Sequence, residues 1–300
     1  MNKKNFTRRD FLKGTAVLAT TVWFPPQLKA AQAPKRTAAD LVTLGKSGLK
    51  ISRLGMGTGT RNGQVQRDLG TEGFNRLVRY AYDHGIQYFD TAQNYQTHSW
   101  VQAAVKDLPR ENLYIQSKVP GNPENPLEVI DRYRKEIGTD YINSVLVHVA
   151  SSPEWDTERA RVLDALEEAK QRKWILAHGV SCHSLSALGR SARLEWVDIN
   201  LVQMNPLGAN LNLPSGVPAG RNPTYINWTA DHVKTARANG HGIIGMKIIG
   251  EGTFTDPADR EKSIRFAMQS GLPDAIVIGF KSPAEIDEAI ANMNKALAEV

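Results

Sequence analysis

Cysteine is almost missing from this chain: Cys182 is the only one in 300 residues, so no disulfide can close within it. Metal-ligand spacings are missing as well. There is no Cys-x-x-Cys and no His-x-x-x-His, and the adjacent pair Cys182-His183 is a poor ligand set, so no metal site is expected. No apolar run reaches the roughly 20 residues that a permanent membrane span needs. A broad positive charge is lacking too. Residues 1–33 hold six bases against one acid, so five of the six net positive charges sit there and the remainder is close to neutral. That distribution removes the main reason to expect nucleic acid as a partner.

The concentrated charge is itself informative. Thr7-Arg8-Arg9-Asp10-Phe11-Leu12-Lys13 precedes an apolar run from Gly14 to Phe24, and small residues follow at Ala31-Gln32-Ala33. This resembles a twin-arginine (Tat) export signal. The resemblance implies a signal peptide over 1–33, the Tat export machinery as a partner, and a periplasmic destination. A chain without disulfides agrees with cargo that folds before export. An amphipathic helix with a basic start is the plainer alternative.

From residue 34 to 300 the sequence reads as a single domain. Leu41 to Ser52 has the form of a hairpin, with Gly45-Lys46-Ser47-Gly48 between apolar flanks. Strand-like segments follow at 54–57, 88–90, 113–118, 144–148, 177–181, 199–203, 242–247 and 275–278. Amphipathic stretches lie between them, for example 72–83, 127–136, 158–172 and 230–238. Pro283 suits the first turn of a last helix reaching about Leu297. Eight such alternations predict an α/β fold, a (β/α)8 TIM barrel. A doubly wound sheet would be expected to carry Gly-x-Gly-x-x-Gly after its first strand, and Gly55-Met56-Gly57-Thr58-Gly59 has the wrong spacing. The long connection from Asn205 to Asn227 follows a strand end, which places it at the C-terminal rim as a lid or an ordered loop.

Polar residues close successive strands. Asp90 ends Tyr88-Phe89-Asp90, Lys118 ends Ile115-Gln116-Ser117-Lys118, and His148 ends Leu146-Val147-His148, with Tyr95 in the loop after Asp90. On a barrel these positions converge at one mouth. Each has an ordinary explanation: Asp90 as a helix cap, Tyr95 as a surface aromatic, Lys118 as a solvated strand end, His148 as a core histidine. Together, in Phe-Asp-Thr-Ala-x-x-Tyr, Ser-Lys-Val and Leu-Val-His, they resemble the aldo-keto reductases over about residues 41–297.

The resemblance implies a hairpin plugging the barrel floor and an NAD(P)H-dependent oxidoreductase that reduces an aldehyde or ketone, a small-molecule carbonyl substrate, to an alcohol. Tyr95 would be the proton donor, Lys118 would lower its pKa, Asp90 would pair with Lys118, and His148 would orient the carbonyl. Gly57 and Thr58 would meet the ribose side, and Ser181 and Gln203 the nicotinamide carboxamide. Cys182 stands where the family usually has Asn, and Met246, beside Lys247, where it usually has an aromatic. Gly279, Lys281 and Ser282 would open the last helix onto the adenosine phosphate, with Glu288 on the adenine side. Glu285 replaces a frequent arginine and opposes an extra phosphate, so NADP(H) stands only modestly ahead of NAD(H). Trp100, Trp155, Tyr225 and Trp228 are candidate aromatic pocket liners. Two other readings share these residues: a non-catalytic exported barrel that binds a small molecule or partner, and an enzyme that cycles a cofactor without releasing it.

Overall fold

Alternating apolar side chains along short β-branched segments set up two cores rather than one. The computed structural model describes residues 36–208 and 224–300. Residues 1–33, which carry the signal-like segment, and most of the long connection at 209–223 lie outside the described residues.

A hairpin comes first. Strands β1 (Leu41–Thr43) and β2 (Lys50–Ser52) pair antiparallel around a 3-10 turn at Gly45–Ser47. Eight parallel strands then close into a barrel in chain order: β3 (Leu54–Gly57), β4 (Tyr88–Asp90), β5 (Tyr114–Val119), β6 (Ile142–Ala150), β7 (Ile175–Cys182), β8 (Ile199–Gln203), β9 (Gly242–Met246) and β10 (Ala275–Gly279), which pairs back onto β3. The helices α1 (Gln64–Arg67), α2 (Gly70–Asp83), α3 (His98–Val105), α4 (Pro126–Ile137), α5 (Trp155–Glu158), α6 (Ala160–Gln171), α7 (Leu185–Ser191), α8 (Thr224–Ala238), α9 (Pro257–Gln269) and α10 (Pro283–Ala298) occupy the connections. The (β/α)8 barrel is therefore the architecture, with a hairpin ahead of it.

Successive residues of a strand point to opposite faces. Tyr88, Tyr114, Leu146, Ala177, Leu201, Ile244 and Val277 fill the barrel interior, and Leu44 and Ile51 of the hairpin segment join the same cluster from below. The opposite face packs on the helices through residues such as Phe89, Val145, Val180 and Val202. This parity decides which strand-end residues reach the barrel axis and which are lost to the outer layer.

Several boundaries move relative to the sequence reading. The stretch 158–172 divides into α5 and α6 at Arg159. The connection expected to run to Asn227 ends earlier, because α8 starts at Thr224. Strand β6 extends to Ala150 and carries one extra residue: Val147 pairs with Val180 but Ala150 with Cys182. Within that bulge Val149 adopts φ +56°, the left-handed region that a β-branched side chain rarely enters.

Candidate active site

The mouth is built from the strand ends. Asp90 closes β4 and pairs in register with Gly57 of β3 and Gln116 of β5. A chain of hydroxyls fixes the following loop: Thr97 Oγ1 lies 2.8 Å from both Thr58 Oγ1 and Thr91 Oγ1, and Thr58 also donates to the Asp90 carbonyl at 3.0 Å. That loop makes a 3-10 turn at Gln93–Tyr95, stopped by Gln96 at φ +57°. Arg67 donates to the Tyr95 carbonyl. Gly59 packs so closely against the Tyr95 ring that a Cβ there would overlap the ring carbons, so only glycine lets the ring take this place.

The four residues meet. Lys118 Nζ donates to Asp90 Oδ1 at 2.6 Å and to the Thr91 carbonyl at 2.9 Å, and the lysine is 1% exposed. The Tyr95 hydroxyl lies 3.5 Å from Lys118 Nζ and 3.5 Å from His148 Nε2, both long contacts. Catalytic hydrogen bonds are commonly long in unliganded proteins and tighten around substrate. The Tyr95 and His148 rings meet edge to face with centroids 5.6 Å apart.

Burial dominates the proton affinities. It pulls the Lys118 ammonium down, but Asp90 and Tyr95 outweigh it and the net shift is upward, so Lys118 is charged. Burial, then the charge of Lys118 and the proximity of His183, lower His148 to about 2, leaving a neutral imidazole with one N–H to give. Tyr95 departs from the sequence expectation. Burial raises it, Lys118 offsets only part of that, and the net direction is upward. Desolvating a phenolate costs more here than one ammonium at 3.5 Å returns. The phenol therefore keeps its proton at neutral pH, the state a proton donor requires.

Beside Tyr95 and Asp90 lies a cavity of about 510 Å3, reached from β3, β9, β10 and the start of α10. Gly57, Met246, Lys247, Gly279, Lys281, Glu285 and Glu288, all named as cofactor positions from the sequence, line it. Other expected residues sit elsewhere. Thr58 is fully buried and committed to the threonine chain. Cys182 faces the outer layer by strand parity, with its thiol 3.7 Å from Asn200 Oδ1 and pushed up to about 12 by burial. Its replacement of the family's Asn thus leaves the cavity wall untouched. The preceding residue on β7, Ser181, takes the inner face, and its hydroxyl is buried without a hydrogen-bond partner. Gln203 ends β8 in register with Met246. Ser282 caps α10, accepting from Glu285 N at 3.3 Å, while Glu285 accepts from the Lys281 amide at 2.9 Å.

Two aromatic liners are corrected. Trp155 is 1% exposed and packs toward Trp196 in the outer core, and Trp100 packs edge to face on Phe74. Both lie in the outer layer because α3 and α5 turn them toward neighbouring helices. Tyr225 is buried against Leu185, and Trp228 is half exposed on α8. Gln116, Arg61 and Arg260 escape the sequence reading, and His183 enters it only beside Cys182 as a poor metal ligand. Gln116 was accessible to strand parity, two residues before Lys118; the others sit in loops or on α9, where periodicity carries no such signal. His183 lines the cavity and is lowered to about 3, by burial first and then by Lys247 and Lys118.

The residues fit a nicotinamide dinucleotide. Glycines at Gly57 and Gly279 keep the cavity wall bare, and Ser181, near the end of β7 and not itself in that lining, offers an unpartnered buried hydroxyl. Arg61, Lys247, Arg260 and Lys281 supply cations along one cavity. Acids answer three of them: Glu251 lies 3.4 Å from Lys247, Glu285 3.7 Å from Lys281, and Glu288 2.6 Å from Arg260. Among the described residues no group of three or more His, Cys, Asp or Glu side chains could hold a metal ion.

Comparison with known proteins adds three observations. The model of the aldo/keto reductase family matches residues 53–265. The chain is 29% identical over 136 residues to a 9,11-endoperoxide prostaglandin H2 reductase of Trypanosoma cruzi, a match covering 43% of this chain and 47% of that one. It is 29% identical over 153 residues to a probable aldo-keto reductase of Glycine max, covering 45% and 43%. The matched stretch thus spans about half, or slightly less, of the length of these relatives. A solved aldo-keto reductase structure from Pseudomonas aeruginosa superposes with a TM-score of 0.70 at 22% identity, covering 88% of this chain and 98% of that one. The Bombyx mori aldo-keto reductase in complex with NADP gives 0.64 at 16%, covering 88% and 93%. At these identities the structural likeness is one of fold.

Proposed function

Because this chain belongs to the aldo/keto reductase family, we propose that it is an NAD(P)H-dependent oxidoreductase reducing an aldehyde or ketone to an alcohol, with Tyr95 as proton donor. The observation that carries this reading is the Tyr95 hydroxyl held 3.5 Å from both a buried ammonium and a neutral imidazole at the edge of the cavity. When bound, a nicotinamide dinucleotide supplies the hydride. The protein's own residues handle the oxygen. His148 gives one neutral N–H to the carbonyl oxygen and orients it. Tyr95 gives its proton to that oxygen as negative charge develops there. Lys118 stabilises the phenolate that remains, and Asp90 keeps Lys118 charged in an apolar surrounding.

For the dinucleotide we propose Lys281, Ser282 and the N-terminus of α10 at the adenosine phosphate, Glu288 on the adenine side, and Ser181 with Gln203 at the carboxamide. NADP(H) stands ahead of NAD(H) on the strength of Lys281 and Ser282, with Glu285 as the opposing charge. We also propose that residues 1–33 direct export by the Tat route; a reporter fusion should lose export when Arg8 and Arg9 are both changed to lysine.

The decisive experiment is Tyr95→Phe. It should lower carbonyl reduction by at least about a hundredfold, the range of a lost general acid, while fluorescence titration with NADPH and NADH gives unchanged dissociation constants. Full activity in Tyr95→Phe would sink the mechanism. Failure of the unmodified protein to bind either nucleotide would favour a non-catalytic binding barrel, and nucleotide found in the purified protein would favour a retained, cycling cofactor.

A further inference from the structure

Beneath the mouth a small polar cluster interrupts an otherwise apolar barrel interior. Gln116 precedes Lys118 by two positions on β5, so both side chains leave the same face of the strand. Gln116 is fully buried. Its amide nitrogen donates to Asp90 Oδ1 at 2.8 Å and to the Tyr88 hydroxyl at 2.9 Å. Its carbonyl accepts from the Ser144 hydroxyl at 2.9 Å. A carboxylate can only accept, so Asp90 dictates which way the amide faces, and Ser144 holds the other end. Lys118 Nζ donates to the same Oδ1 at 2.6 Å. One carboxylate oxygen is shared between an amide and an ammonium.

We propose that Gln116 is a positioning residue for proton donation by Tyr95, acting through the oxygen of Asp90 that it shares with Lys118. The inference rests on the reading of Tyr95 as proton donor. Its physics concerns how much of Asp90's charge reaches the phenol. The positive end of the Gln116 N–H dipole sits on Oδ1 and offsets part of that charge. Without it, the carboxylate acts more strongly on Tyr95 and draws Lys118 further from the hydroxyl. Both changes make the phenol hold its proton more tightly. The charged and titratable groups facing Tyr95 are Lys118, Asp90, Glu251, His148, Arg67 and Tyr88. Among them Gln116 touches Asp90 and the Tyr88 hydroxyl directly, and Lys118 through the shared Asp90 oxygen; Tyr88, held far above its ordinary value by burial, stays neutral.

The test follows the Tyr95 phenol itself, by NMR of protein carrying tyrosine labelled with 13C at Cζ. The resonance missing from Tyr95→Phe identifies Tyr95. In Gln116→Met, which keeps the side chain's length, the Tyr95 titration should move upward by about half a unit to one unit. The alkaline limb of carbonyl reduction should move with it, and nucleotide dissociation constants should stay unchanged. Ser144→Ala, a mild change that frees the amide to reorient, should give a smaller shift in the same direction and keeps the test open if Gln116→Met does not fold. A purely structural role would lower the unfolding midpoint and leave the titration where it is; that result in the folded variants overturns the proposal. Retained activity in Tyr95→Phe is a separate result and overturns the donor assignment, not the titration shift.

Discussion

Lys118 and Asp90 form a buried pair whose exposures are 1% and 7%, so each needs the other far more than a surface pair would. Asp90→Leu should destabilise the protein by about 3–5 kcal/mol in urea unfolding, because it strands an ammonium in an apolar interior. Adding Lys118→Met should restore much of that stability while activity stays lost, which separates the pair's structural cost from its chemical use. His148 makes a pH prediction. Its native value is lowered to about 2 from 6.5, so the native state binds fewer protons than the unfolded chain between these values. The stability it contributes is complete above pH 6.5 and is lost as pH falls toward 2, at about 1.4 kcal/mol per unit. His148→Phe should flatten the acid limb of an unfolding-midpoint titration. At this scale the identities of Asp90, Tyr95, Lys118 and His148 were legible in sequence, because chemistry restricts the residue types. The direction of the Tyr95 shift was not, since it depends on how much water the folded site excludes.

Among the elements, β6 and α10 do the most specific work. The bulge in β6 turns Ala150 into the outer core after His148 has taken the inner face, at the cost of Val149 in a left-handed conformation. Left-handed backbone at a non-glycine residue costs roughly 1–2 kcal/mol. Val149 is 40% exposed and packs little, so Val149→Gly should raise stability by about 1 kcal/mol in chemical denaturation, and a destabilising effect would contradict the strain reading. Helix α10 starts on Ser282, whose hydroxyl accepts from Glu285 N. Ser282→Ala should cost about 1 kcal/mol and should weaken nucleotide binding if that end of the helix meets phosphate. Three barrel strands, 54–57, 88–90 and 199–203, have the bounds their sequence pattern predicts. The bulge and the break between α5 and α6 were not readable, because an extra residue in a ladder is defined only by what its neighbour pairs with.

For the whole molecule, the two-core arrangement explains why the mouth is the place where charge collects. Interior side chains below it are closed off by the hairpin, and the outer layer is taken up by helix packing. Three of the cavity's four cations are paired with acids, so a dinucleotide phosphate at Lys281 would compete with its pair to Glu285. NADPH at about a hundredfold excess over its dissociation constant should stabilise the folded chain by about 2.7 kcal/mol and raise its unfolding midpoint by several degrees. If Lys281 holds the extra phosphate as proposed, Glu285→Gln should enlarge that rise for NADPH and change it little for NADH, because it removes the acid 3.7 Å from Lys281.

The sequence by itself determined the barrel, its strand order and the polar residues at its mouth, three toward strand ends and Tyr95 in a loop, because hydrophobic period and residue chemistry are local properties of a chain. Only the tertiary structure decided which neighbours share those residues' surroundings. Closing the barrel buried Cys182 and Trp155 in the outer layer with Trp100 packed against it, set Gln116 under Asp90, and excluded enough water to raise the Tyr95 phenol despite Lys118. Burial and inter-strand register are properties of the closed sheet, and no single segment carries them.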